Sequence, residues 1–151
     1  MNDYQAIADR VEIEALRGEF TDAVMMNDHE RLASLFTADG TVRIPLGNIH
    51  ASGREEIRAL GERRQGFADY FIQTTHPGTI QLDGDTAAGR AYLSELVHAR
   101  DGASHLNYFV YHDRYQRTPD GWKFIERVAE FRYLDTTPLT GSAPQGAGDA
   151  R

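Results

Sequence analysis

Two residues in this chain invite chemistry by their type and place. His76 follows a Thr-rich run and precedes Pro77-Gly78. An imidazole takes up or gives back a proton near neutral pH, so His76 is a candidate general base. The other reading is a packed or surface histidine. Arg127 falls in the period-2 row Ile125, Arg127, Ala129, Phe131, Tyr133. A guanidinium among apolar neighbours is either ion-paired or awaits an anionic or carbonyl ligand, and both readings stand. The six histidines, His29, His50, His76, His98, His105 and His112, show no HxH or HExxH spacing. There is no cysteine, which excludes a thiolate zinc site, an iron–sulfur site, a disulfide scaffold and a cysteine nucleophile. No glycine-rich phosphate loop and no nucleophile elbow occurs. No cofactor and no metal are implied.

The elements that must position these residues are those of one ordinary domain. The 151 residues are 40% hydrophobic and 26% charged, a globular balance. We expect a single domain over residues 1–140, with residues 141–151 as a flexible tail. Sixteen Lys and Arg stand against 23 Asp and Glu, for a net charge of −7. That surface repels phosphate, so nucleic acid is not an expected partner. The apolar runs are too short to span a bilayer. The start, MNDYQAIADR, lacks the parts of a signal peptide, so a cytoplasmic protein is expected.

Residues Tyr4 to Asn27 read as a helix with the stripe Ile13, Leu16, Phe20, Val24. A second stripe, Ile7, Val11, Ala15, Gly18, Asp22, Met25, lies opposite and suggests a cavity or a partner on that side. Asp28 caps a short helix through Phe36. A strand is expected from Thr41 to Pro45, and a capping box at Ser52-Gly53-Arg54-Glu55 opens a helix through Gln65. Strands follow at Tyr70–Thr75, Thr79–Leu82, Thr86–Arg100, His105–Arg117 and Trp122–Leu134, with Asp83-Gly84-Asp85 as a hairpin signal. Helices first and long antiparallel strands after mean α+β, a curved sheet closed by helices over a concave pocket. The faces of the third-last strand separate Gly89, Ala91, Leu93, Glu95, Val97 from Arg90, Tyr92, Ser94, Leu96, His98. Those of the next separate His105, Asn107, Phe109, Tyr111, Asp113, Tyr115 from Leu106, Tyr108, Val110, His112, Arg114. Alternation alone leaves open which face is concave.

From Ala6 to Thr140 the chain resembles the SnoaL-like proteins of the nuclear transport factor 2-like superfamily. The resemblance rests on the run from Asp28 to Phe36, on Thr75-His76, on Tyr111-His112-Asp113-Arg114-Tyr115 and on Asp120-Gly121-Trp122-Lys123-Phe124-Ile125-Glu126-Arg127. Within it, the Arg31-Leu32-Ala33-Ser34 and Thr137-Pro138-Leu139-Thr140-Gly141 stretches look like the branch of scytalone dehydratase, bile-acid 7α-dehydratase and hexachlorocyclohexane dehydrochlorinase. The resemblance implies a cone-shaped α+β fold and elimination without a cofactor, using a His–Asp dyad and an arginine. It carries the histidine onto His76 and the arginine onto Arg127. The dyad carboxylate position falls on Met25, with Asp22 as the nearby substitute. Met25, Tyr92, Tyr108 and Phe131 are the expected substrate-binding residues, and Tyr111 and His98 are further hydrogen-bonding candidates.

The expected function is a cofactor-independent lyase, isomerase or cyclase that abstracts a proton from a small, largely apolar ring compound. The alternative is a non-catalytic small-molecule binder or accessory protein. A homo-oligomer, dimer or trimer, is expected.

Overall fold

A computed structural model describes residues 3–144. Most of the expected tail lies outside them. Helix α1 (Asp3–Met25) and α2 (His29–Ser34) precede β1 (Phe36–Ile44), a 3-10 turn (Pro45–Gly47), β2 (Ile49–Ser52) and α3 (Arg54–Phe67). Four long strands complete the chain: β3 (Ala68–Asp83), β4 (Thr86–Ala99), β5 (Ser104–Thr118) and β6 (Gly121–Asp135). The sheet order is β2-β1-β6-β5-β4-β3, and only β1 and β6 run parallel. The architecture is α+β, with helices gathered on the concave face of one curved, open sheet.

Helix α1 buries Ile13, Leu16, Phe20, Ala23 and Val24. The expected second stripe does not line the cavity. Ile7 and Val11 are 58% and 63% exposed, so α1 packs through one face, as a surface helix does. Asp28 caps α2, its carboxylate accepting the Arg31 N–H at 3.2 Å, but α2 stops at Ser34 and β1 already begins at Phe36. Strand β2 carries too few residues to have been read from its pattern. At α3 the cap is shifted by one residue. Gly53, with φ +85°, is the cap, and Glu56 rather than Glu55 accepts the Ser52 N–H at 2.8 Å. Glu55 pairs with Arg58 instead.

The two runs expected at Tyr70–Thr75 and Thr79–Leu82 are one strand, β3, whose register breaks between His76 and Thr79. The break is at Pro77-Gly78. A Cβ on Gly78 would stand 1.8 Å from the Arg90 carbonyl oxygen, so only glycine permits the approach. Strict alternation also fails on β6. Phe124 pairs with Tyr115 and Glu126 with Arg114, which leaves Ile125 as the extra residue of a bulge. The bulge moves Arg127 and Ala129 onto the same buried face as Trp122 and Phe124. A second register shift near the end of β6 puts Leu134 at the edge of the concave side, 47% exposed, and leaves Tyr133 52% exposed.

One end of the domain is fastened by a buried carboxylate. Asp9 accepts two bonds from Arg117 at 2.7 and 2.8 Å, one from Trp122 Nε1 at 3.1 Å and one from Gln5 at 3.0 Å. The hydrogen bonds from Arg117, working against burial, hold its pKa down at about 2. A carboxylate with a depressed native pKa stabilises the fold above its unfolded pKa and loses that contribution as the pH falls through the native one. The shift corresponds to about 2 kcal/mol. We expect Asp9→Asn to lose about that much in urea unfolding at pH 7. The gap from wild type should narrow between pH about 4 and about 2. A gap that persists unchanged across that window contradicts the assignment.

Candidate active site

The concave face of the sheet is built in cross-strand rows. Phe71, Val97 and His105 form one; Thr75, Leu93 and Phe109 form another. Between them lies the polar row Gln73, Glu95, Asn107, in register across β3, β4 and β5. Side chains directly opposite on one face meet, so the three touch. Phe20 and Val24 of α1 and Leu60 of α3 stand over these rows. They cover part of an open cavity of about 560 Å3, within the size range of small-molecule sites. Its walls are mostly apolar and aromatic.

Glu95 is the carboxylate of that cavity. Asn107 Nδ2 donates to its Oε1 at 2.9 Å, and Gln73 Nε2 reaches its Oε2 at 3.5 Å. Thr21 Oγ1 from α1 donates to Gln73 Oε1 at 2.9 Å. With its oxygen so engaged, the Gln73 amide must turn its NH2 toward Glu95. Burial raises the Glu95 pKa above the ordinary carboxylate value, while the two amides and then the charges of Arg64 and His105 restrain the rise. A carboxyl desolvated in this way is, once ionised, a stronger proton acceptor than a solvated one. Arg64 of α3 shares the cavity, its guanidinium 5.1 Å from the Phe71 ring centre. Burial lowers its pKa. The Tyr111 hydroxyl, also on the wall, is pushed up to about 12 by burial and stays protonated.

The residues singled out in the sequence lie in different places. His76 is exposed on the other face of β3, where its Nε2 meets Ser94 Oγ at 3.2 Å. Gln73 and His76 are three residues apart, an odd number, which puts them on opposite faces. Met25 stands against Gln73, not His76; its sulfur accepts the Gln73 N–H at 3.2 Å. Asp22 is exposed and bonded to Arg31 at 2.5 Å. Arg127 is fully buried and meets Asp113 with two bonds, at 2.8 and 3.1 Å. The rings of Phe20, Tyr111 and Phe124 surround its guanidinium at 4.1–4.4 Å. Thus His76, Asp22 and Arg127 are not brought together. Tyr92 and Tyr108 are 42% and 50% exposed on the outer face, and His98 pairs with Asp69 there at 3.1 Å. Phe131 and Tyr111 do line the cavity.

Sequence reasoning passed over Glu95, Gln73, Asn107 and Arg64. The signal for Glu95 was present: a carboxylate in the row Gly89, Ala91, Leu93, Glu95, Val97 is as anomalous as an arginine in an apolar row.

Arg127 and Asp113 form a buried pair without access to solvent. Removing one partner of such a pair strands the other charge and costs about 3–5 kcal/mol. Asp113→Asn should therefore destabilise the fold by about that amount in denaturant titration. A loss below about 1 kcal/mol, the scale of an exposed pair, contradicts this account.

The profile of the SnoaL-like domain family matches residues 5–128. An uncharacterized protein of Mycobacterium tuberculosis is 31% identical over 126 residues, 81% of this chain and 84% of its own. The crystal structure of LinA superposes with a TM-score of 0.83 at 27% identity, covering 93% of this chain and 96% of that one. The hexachlorocyclohexane dehydrochlorinase LinA-type3 of Novosphingobium barchaimii gives 0.81 at 24% identity, with coverage of 93% and 96%. A Novosphingobium aromaticivorans protein provisionally named a scytalone dehydratase gives 0.79 at 22%, with coverage of 95% and 97%. The last two likenesses speak to the fold alone.

Proposed function

This chain belongs to the SnoaL-like domain family, and from that premise we propose that it is a cofactor-independent enzyme that moves a proton on a small, largely apolar ring compound. Glu95 is the acceptor in this reading. The observation that carries it is a carboxyl of raised pKa, oriented by two amides, inside an apolar cavity. Its Oε2, with only a 3.5 Å contact to Gln73, is the freer oxygen and the one that takes the proton. A ring C–H beside a carbonyl is acidified by it, and a leaving group on the neighbouring carbon departs with the electron pair as that C–H bond breaks. Loss of the leaving group completes an elimination; return of the proton at another carbon gives an isomer.

The test is solvent deuterium exchange into enolisable cyclic ketones, beginning with 2-tetralone, followed by NMR. Wild type should exchange, and Glu95→Gln should be slower by about 100-fold or more, the usual share of a general base. The base works only when ionised, so the rate should fall on acidification through a pKa above the ordinary carboxylate value. His76→Ala, altered outside the cavity, should exchange at the wild-type rate. Full activity in Glu95→Gln overturns the assignment. Binding of the ketones without exchange in wild type favours the alternative, a protein that holds a ligand without transforming it.

A further inference from the structure

Arginines in this structure mostly end on an acceptor. Arg17, Arg31, Arg58, Arg117 and Arg127 each meet a carboxylate, and Arg54 caps the Phe36 carbonyl at 2.8 and 2.9 Å. Arg64 is different. Among the described residues its side chain donates no hydrogen bond and enters no ion pair. Its Nη2 is sealed from solvent and has no partner, and the only group it contacts face-on is the Phe71 ring. It also lines the cavity, with Arg63 beside it. Arg64 is half-buried, and a guanidinium withdrawn from water in part and left without a counter-ion is costly and is normally paired.

Glu95 does not fill that role. It feels the Arg64 charge, but the two form no ion pair, and the carboxylate is held by Asn107 and Gln73 instead. Both groups face the same void. The nitrogens of Arg64 other than Nη2 are unpaired and not sealed, and the void that Arg64 lines has room for a partner to them. The protein as a whole is acidic, with a net charge of −7, which disfavours polyanions. The walls are apolar, which favours a ring.

We propose that the cavity takes a small ring compound bearing a single carboxylate, and that Arg64 is the residue that recognises it. This rests on reading the cavity as a ligand site, and it is independent of whether Glu95 transfers a proton. Recognition and chemistry would also be linked. A ligand carboxylate on Arg64 cancels the positive charge that restrains the Glu95 pKa, and so makes Glu95 a stronger base.

The probes are 2-naphthoate and its neutral counterpart 2-acetonaphthone, titrated by calorimetry. Wild type should bind 2-naphthoate at least about tenfold tighter, as expected of a desolvated charge pair. Arg64→Met should abolish that preference while leaving the affinity for 2-acetonaphthone within about twofold, because only the charged contact is removed. Glu95→Gln should keep the preference, so loss of proton transfer and loss of carboxylate recognition are read separately. Equal binding of the two probes by wild type overturns the proposal. So does a preference that survives in folded Arg64→Met. If Arg64→Met does not fold, the arginine Nε–Hε signals of wild type decide, with the Arg64 signal assigned from Arg64→Lys. A shift of that signal with 2-naphthoate and not with 2-acetonaphthone supports the proposal. No shift with 2-naphthoate overturns it.

Discussion

The carboxylate of Asp113 is the point on which the rest of this structure depends. It receives Arg127 through two bonds and the Tyr115 hydroxyl at 2.6 Å. Tyr115 Oη in turn accepts from Arg17 Nε at 2.8 Å, and Arg17 Nη2 donates to the Thr79 carbonyl at 2.6 Å. One buried chain thereby joins α1 to β3, β5 and β6. Burial, with Asp113 alongside, keeps the Tyr115 hydroxyl protonated and so able to donate. A network like this is costly in parts and stable when complete. It fixes where α1 crosses the sheet, and so which residues of α1 can face the cavity.

The same crossing decides the chemistry. With α1 held by Arg17, the next turns of the helix bring Phe20, Thr21 and Val24 over the sheet. Phe20 covers the Arg127 guanidinium on one side and meets the Tyr111 ring edge-on at 5.7 Å on another. Thr21 sets the Gln73 amide, which helps to orient Glu95. The fold thus spends its arginine–aspartate pair on architecture at one end of the concave face. At the other it leaves a second carboxylate and a second arginine, Glu95 and Arg64, apart from each other in an apolar void. Two pairs of the same chemical types differ in that only one pair is in contact.

Much of the architecture was legible in the residues. The α1 stripe, the Asp28 cap, the hairpin at Asp83-Gly84-Asp85 and the long strands after it all follow local rules that the structure obeys. The family resemblance supplied the cone, and the profile match bears it out. The errors have local physical causes. β6 departs from strict alternation because Ile125 is a bulge residue, and β3 runs through Pro77-Gly78 because Gly78 lets the backbone close on Arg90. The candidate site was less legible. His76 and Arg127 were marked by residue type, but residue type does not say which face of a strand looks inward.

Composition, the absence of cysteine, the order of helices and strands, and the two faces of β4 and β5 were determined by the sequence by itself, because they depend on propensity and on a period of two. Which face is concave, which arginine meets a carboxylate and which does not were decided only by the tertiary structure. Those outcomes depend on bulges that reset the period of a strand and on the line along which a helix crosses the sheet. Both are set by contacts between residues far apart in the chain, such as Arg17 with Tyr115 and Gln73 with Thr21, and local pattern does not encode them.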